Sequence, residues 1–357
     1  MKASIRIASL AIMTLVTTAG LGAAQQTLRI STHHSSTSPE IEQVVKPFKE
    51  FIEKESGGSI EVRVFPNAVL HKPAEGFKAL ASGVTDIAPA YPTFQSRAFT
   101  LNHASSLPMA FANNYIGGRV NEELYADFYR DEWKPFRILP LFYPVSGTFD
   151  LLSTKPITTL ADIQKLKIRT GGQSQSEIIE KIGATPVVIS SAETYSAFQQ
   201  GVVDAVLLGP ANIISFKVDE IGKYYVPLSL TRVGILWAIS EATYDSLSPE
   251  HRDILFRASR LAGVNYADFY ENETERALDQ MRDEGIEFVE LSQDDKDKIA
   301  SLLQPMWDDF IASDEKAGDL VTALRSKADQ YSGLTSEGFR DLQLNDPVMG
   351  MMPSASN

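Results

Sequence analysis

Arg169 is the residue whose type and setting point most directly to chemistry. It lies in Lys165-Leu-Lys-Ile-Arg-Thr-Gly-Gly172, where Leu166 to Ile168 read as the start of a strand and Gly171-Gly172 as pliant backbone behind it. A guanidinium leaving a strand beside glycines is placed to hold a carboxylate through two parallel N–H donors. The plain alternative is a surface salt bridge, the common fate of a charged side chain. Gly172 reads as a close backbone approach to a ligand or as a turn. His33-His34 is the most metal-like spot, yet neighbours on an extended segment point to opposite faces, and a metal usually takes three or four protein ligands. No metal and no cofactor is expected, and His33 reads as a hydrogen-bond donor lining a cleft. Ser35, Ser146 and Ser174 sit in no Gly-x-Ser-x-Gly elbow, and neither a Walker loop nor a GxGxxG fingerprint follows a strand. Tyr91, Phe94, Phe149 and Trp237 fall where apolar strands end. Ligands of open α/β sheets bind outside the carboxyl ends of strands, and core or inter-lobe packing explains such aromatics equally well.

Alternating strands and helices must position these residues. Thr27–Ser31 is a strand, and a helix begins at Pro39 behind Ser38 as its cap, with Ile41, Val44, Val45, Phe48 and Ile52 at helical spacing. Strands at 60–65 and 86–91 complete a βαβαβ unit. A second set of alternating units starts at Phe149, with strands at 166–168, 186–189 and 203–208. The stretch 224–240 is nearly uncharged and long enough to run from one lobe into another. Ser248-Pro249 opens a helix that meets no breaker until Gly285, about 50 Å of helix at 1.5 Å per residue. Such a length implies bracing across two lobes.

Composition narrows the function. Residues 1–24 have the form of an export signal: Lys2 and Arg6, an apolar run from Ile7 to Val16, then Gly22-Ala23-Ala24. The apolar run is too short to anchor in a membrane. The chain has no cysteine, which excludes a lipoprotein signal, disulfides and thiolate chemistry. These features imply a soluble protein of a bacterial periplasm. The formal charge is −13, and loss of the signal makes the remainder two charges more negative. That acidity argues against nucleic acid and anionic membranes as partners. It also means that a bound anion would owe its affinity to a local cation. The remaining length, about 330 residues, favours two lobes. The tail from Asn345 to Asn357, rich in Pro, Met and Ser, reads as a loosely held arm.

Three stretches together resemble one family: Lys165 to Gly172, Ile182-Gly-Ala-Thr-Pro-Val187, and Glu193-Thr-Tyr-Ser-Ala-Phe-Gln-Gln-Gly-Val-Val-Asp-Ala205. They look like the dicarboxylate-receptor (DctP) type of solute-binding protein from tripartite ATP-independent periplasmic (TRAP) transporters. Phe65 to Leu70, Ala79 to Ile87, Ser153 to Asp162 and Thr243 to Pro249 match further steps in the same order. The resemblance implies an α/β, two-lobed periplasmic binding protein fold with long crossing strands and a long bracing helix. It divides the chain into lobe I (25–145 plus 238–272), lobe II (146–237 plus 273–340) and a tail (341–357). It implies a receptor that performs no chemistry, closes on a small organic acid and delivers it to the membrane permease subunits. It also implies that Arg169 clamps the substrate carboxylate. Departures from the family carry information: Phe149, Tyr91 and Leu208 stand where sialic-acid-type members carry polar ligands, and His33 occupies the place of a polar first-loop ligand. The expected pocket therefore has a cationic end at Arg169 and an apolar body made by Tyr91, Phe149, Leu208, Phe94 and Trp237. Arg232, on the crossing strand, reads either as a second cation or as a hinge salt bridge. A monocarboxylate with an aromatic or apolar body follows. A four-carbon dicarboxylate or hydroxy acid is the second reading, and an exported hydrolase or lyase the reading from another class.

Overall fold

The computed structural model describes residues 25–95, 97–190, 193–348 and Met351; residues 1–24, read above as an export signal, and the last six residues lie outside them. Eleven strands form two sheets. The first sheet holds β1 (Gln26–Ser31), β2 (Ile60–Phe65), β3 (Ile87–Ala90), β4 (Ile138–Phe142) and β10 (Leu236–Ser240) in the order β2-β1-β3-β10-β4. The second holds β5 (Asp150–Ser153), β6 (Lys167–Thr170), β7 (Thr185–Val188), β8 (Ala205–Leu208), β9 (Tyr224–Val226) and β11 (Glu287–Phe288), ordered β11-β9-β5-β8-β6-β7. Each sheet is the middle layer of one lobe. Ala88, Leu236 and Ala238 join one apolar cluster while Ile87, Trp237 and Ile239 join another. This is the period-two alternation of strands buried on both faces.

Strand direction places the carboxyl edges of the two sheets on the same side of the connections between them. In the first sheet β1 and β3 are parallel, and β10 runs against β3 with Leu236 opposite Ala90. The carboxyl end of β4 meets the same edge, Phe142 lying opposite Trp237. In the second sheet β6 and β8 are parallel, and β5 runs against β8 with Asp150 opposite Leu208. Both crossing segments, 143–149 and 227–235, thus join carboxyl edge to carboxyl edge. A cleft between the lobes is bordered by the ends of β1, β3, β6 and β8, the usual place for a ligand.

The stretch 224–240, read as one long strand, is two strands, one in each sheet. Between them the backbone pairs with 143–150: Ile235 N–H donates to Pro144 O, Ser146 N–H to Val233 O, and Phe149 N–H to Thr231 O. Asp150 pins one end of this ladder, accepting Tyr225 O–H at 2.7 Å and the Leu228 and Ser229 N–H groups at 2.8 and 2.7 Å. Arg232 ties the middle of the ladder to the loop at Phe111 and Ala112.

The helix Pro249–Asp283 has 35 residues. Ser248 Oγ caps it by accepting His251 N–H, Pro249 fits its first turn, and Gly285 follows its end at φ +83. Its first two-thirds, including Ile254, Ala258 and Phe269, pack on the first lobe. Met281, near its end, packs on the second.

The remaining helices correct the expected division of the chain. The helix Gln293–Ile311 buries Ile299 and Leu303 in the second lobe but Trp307 and Phe310 in the first, with Pro305 between the two pairs. The helix Ala317–Gln330 then packs on the first lobe through Leu320, Val321 and Leu324. The chain therefore returns to lobe I well before residue 340. An apolar stripe shows that a helix is buried without showing against which lobe. The start of the tail is likewise held: Asp346 O accepts from Arg119 Nη1 at 2.8 Å, and Met351 is buried in the first lobe. Trp237, expected in lobe II, belongs to the first sheet.

The last helix, Ser336–Asn345, ties into a buried ion pair. Glu122 Oε2 accepts from Arg260 Nη1 at 3.0 Å and from Gln343 Nε2 at 2.7 Å. Arg260 Nη2 also donates to Leu141 O, while its Nε is buried without a partner among the described residues. Removing one member of a buried pair leaves the other charge exposed to the low-dielectric interior. Glu122→Ala should lower the unfolding free energy by about 3–5 kcal/mol in urea titration. A loss within experimental error would show that the charge of Arg260 is satisfied elsewhere.

Candidate ligand-binding cleft

Arg169 lies at the third position of β6, opposite Val206 of β8 and one residue from the carboxyl edge. Its residue is only 3 % exposed. Nε donates to Ile189 O at 3.0 Å, and no ion pair reaches Arg169 among the described residues. The guanidinium folds beside the glycine pair: a Cβ added at Gly171 would lie 3.5 Å from Nη2, 3.6 Å from Nη1 and 3.2 Å from Gln175 Oε1. Burial pushes the arginine down to about 10. A cation held away from water without a counter-charge costs stability, so its two terminal amines favour an anion brought to them. Gly172 lies beyond it as the residue before the helix Gln173–Lys181, and its carbonyl accepts Ser176 Oγ at 3.0 Å.

The first lobe presents a different wall. His33 follows β1 and Tyr91 follows β3, so the parallel pairing of those strands brings the two together. Tyr91 Oη lies 3.4 Å from His33 Nδ1, with the rings edge to face. His34 stacks against His33 at 4.1 Å and places Nε2 3.0 Å from Glu40 Oε2. Behind them, Tyr270 O–H reaches Glu40 at 3.5 Å, and Tyr266 O–H reaches Tyr270. Burial pushes Glu40 up to about 8, and it pushes His34 and His33 down to about 4 and about 3. The Glu40–His34 pair is thus neutral near pH 7, with one proton between carboxyl and imidazole.

The hinge joins the two walls. A Cβ at Gly147 would lie 3.1 Å from Tyr270 Cδ1, and a Cβ at Gly209, just after β8, would lie 2.7 Å from Thr148 O. A side chain at Gly209 would clash with backbone, and one at Gly147 would press on the Tyr270 ring, so glycine lets the end of β8 and the long helix approach the crossing segment. Thr148 Oγ1 is buried here without a partner among the described residues.

The other expected site residues divide. Phe149 is half-buried, with its backbone in the hinge ladder and its ring against the apolar cluster of the second lobe. Phe94 is 55 % exposed and lies edge-on to Tyr91 at 5.7 Å, at the rim. Leu208 is buried with Phe198, Val206 and Ile213, on the face of the second sheet that also carries Arg169. Trp237 is a core residue of the first lobe, stacked on Phe142 at 5.6 Å. Arg232 is spent on structure: Nε donates to Phe111 O at 3.3 Å, Nη1 to Ser146 O at 3.3 Å and Nη2 to Ala112 O at 2.9 Å, with Glu271 at 3.6 Å. All of these partners lie in or beside the crossing segments and the long helix. Glu40, Tyr266 and Tyr270 escaped the sequence reading, in which His34 was weighed only as a metal ligand, although the two tyrosines stand four apart on one face of the long helix.

A concavity of about 600 Å³ lies elsewhere, around the start of β9 and Glu284–Glu287. Asp219, Glu220, Glu284 and Glu287 line it against Lys223 alone, and that charge repels a carboxylate.

Two α/β lobes joined by crossing strands, with a ligand cleft at their facing carboxyl edges, define a two-lobed binding protein. The chain belongs to the bacterial extracellular solute-binding proteins, family 7 (DctP), which it matches over residues 30–314. The C4-dicarboxylate-binding periplasmic protein DctP of Rhodobacter capsulatus is 27% identical over 267 residues, 74% of this chain and 80% of that protein. The 2,3-diketo-L-gulonate-binding periplasmic protein YiaO of Escherichia coli is 25% identical over 312 residues, 84% and 92% of the two chains. Among solved structures, a TRAP periplasmic solute-binding protein from Desulfovibrio salexigens superposes with TM-score 0.79 at 21% identity, covering 87% of this chain and 98% of that one. One from Rhodoferax ferrireducens, in complex with copurified benzoate, gives 0.77 at 20% identity, covering 86% and 99%. The resemblance to TRAP receptors and the two-lobed fold both hold. The family is one of substrate-binding receptors rather than enzymes.

The buried titrating groups set a pH dependence of stability. A carboxyl that keeps its proton up to about 8 when folded, but loses it at its ordinary value when unfolded, stabilises the fold less as pH rises through that range. The histidines act oppositely, lowering stability as pH falls from their ordinary value toward about 4 and about 3. From about pH 6.5 to 8.5, above the histidine window, the melting temperature of Glu40→Gln should fall less than that of the unchanged chain. Parallel melting curves for the two would show that Glu40 ionises normally.

Proposed function

We propose that this chain is an exported periplasmic receptor of a TRAP transporter. It binds a small organic carboxylate, in particular a monocarboxylate with an aromatic or apolar body, in the inter-lobe cleft. It then delivers the ligand to the membrane permease subunits and carries out no chemistry itself. The observation that carries this reading is Arg169, a buried cation at a carboxyl edge with no counter-charge among the described residues. Tyr91 and Phe94 supply aromatic surface beside the opposite edge. A dicarboxylate, the ligand in the name of the Rhodobacter relative, calls for a second cation. Arg232 was the candidate, and its donors are occupied by backbone carbonyls and Glu271. No helix of the described residues is long and apolar enough to cross a membrane, which agrees with a protein that works beside a permease.

Arg169→Met separates a binding role from a structural one. It removes the charge and keeps most of the apolar stem, so the ligand-free protein should melt at the same temperature or higher. Carboxylates that stabilise the unchanged protein should lose about 2–5 kcal/mol of binding free energy, measured by calorimetry. An undiminished affinity in the variant would remove Arg169 from the site.

A further inference from the structure

Among the described residues named on the first-lobe wall, His33, His34, Glu40 and Tyr91, there is no arginine or lysine, yet the wall is polar. His33 and Tyr91 share one hydrogen bond, at 3.4 Å, and both remain partly exposed. If Tyr91 donates, His33 keeps an N–H on Nε2; if His33 donates, Tyr91 keeps its O–H and His33 a lone pair. In either tautomer the pair retains a donor and an acceptor. That combination complements a hydroxyl, which both gives and takes a hydrogen bond, whereas a carboxylate only accepts.

We propose that His33 and Tyr91 receive an uncharged hydroxyl at the end of the ligand remote from its carboxylate. Glu40 and His34, behind them, keep this wall free of net charge so that a second carboxylate is rejected. The inference rests on the carboxylate lying at Arg169 and adds the identity of the far end of the ligand. Glu40 and His34 are positioning residues. Glu40 is 2 % exposed, and its Oε2 is engaged by His34 at 3.0 Å and by Tyr270 at 3.5 Å.

The groups facing Glu40 leave its charge uncompensated. From the first loop come His33 and His34; from beyond β3, Tyr91; from the long helix, Tyr266 and Tyr270. His71 faces this cluster from beyond β2, with Nε2 2.5 Å from Ser31 Oγ. Further along the helix, Arg276 is taken by Glu273, which also accepts Gln43 Nε2 at 3.3 Å. With no free cation in this set, an ionised Glu40 would repel any acid in the cleft, and a protonated one does not. Burial holds it in the protonated form to about 8.

The test uses two matched sets of acids, titrated calorimetrically into the exported chain: benzoate, meta-hydroxybenzoate and isophthalate; butanoate, gamma-hydroxybutanoate and succinate. In whichever set binds, the hydroxy acid should bind about five- to tenfold tighter than its parent, the worth of one neutral hydrogen bond. The diacid should bind at least about tenfold weaker than the hydroxy acid. His33→Phe should bring the hydroxy acid and its parent to within about twofold of each other. Raising pH from about 6.5 to 9 should weaken hydroxy-acid binding to the unchanged chain about tenfold, and Glu40→Gln should abolish that fall. A diacid as tight as the hydroxy acid, a hydroxyl preference that survives His33→Phe, or the same pH profile in Glu40→Gln would each overturn the inference. In those cases Arg169-dependent binding would still uphold the receptor reading. If no acid of either set binds, both the carboxylate reading and this inference fall.

Discussion

Every contact across the cleft depends on the antiparallel pairing of the two crossing segments. The pairing is short, and it is secured by two buried charges, Asp150 at one end and Arg232 in the middle. Asp150 collects three donors from the returning segment, and Arg232 gives its donors to three carbonyls, two of them in the loop at Phe111 and Ala112. Neither charge is available to a ligand. Because the ladder joins carboxyl edge to carboxyl edge, residues from distant parts of the chain, such as Tyr91 and Arg169, come to border one cleft.

Charge within that cleft is distributed unevenly. The chain is strongly acidic, so its long-range field disfavours an anionic ligand. Arg169 counters this locally, because a cation removed from water interacts strongly with a partner brought beside it. On the other wall burial has the opposite consequence, keeping two histidines and a glutamic acid from charging. One desolvated site is thus cationic and the other neutral, and the difference follows from what each group can titrate to. An arginine stays protonated under almost any burial, whereas a carboxyl and an imidazole give up their charge readily.

Much of this architecture was legible in the residues. Ser248-Pro249 and Gly285 bracketed the long helix because caps and breakers act locally. Arg169 before a glycine pair was legible because strand ends and glycines carry positional meaning. Trp237 was misplaced because a strand buried on both faces shows no polar side, so sequence does not reveal which core its side chains join. The return of the chain to the first lobe was hidden because an apolar helical stripe fits either core. The Glu40–His34 pair was hidden for another reason. An acid at the start of a helix ordinarily reads as a solvent-exposed partner of the helix dipole. Only the fold shows Tyr266 and Tyr270 sealing it from water.

The chain passes between the lobes four times: through the two crossing segments, through the long helix and through the helix that contains Pro305. Three of these connections are stiff, being paired, pinned or continuously hydrogen-bonded. The fourth lacks one rung, because proline offers no N–H to the carbonyl of Ser301 and crowds it. The gap falls between Leu303, in one core, and Trp307, in the other. The two cores are therefore coupled least stiffly where this proline interrupts the helix between them.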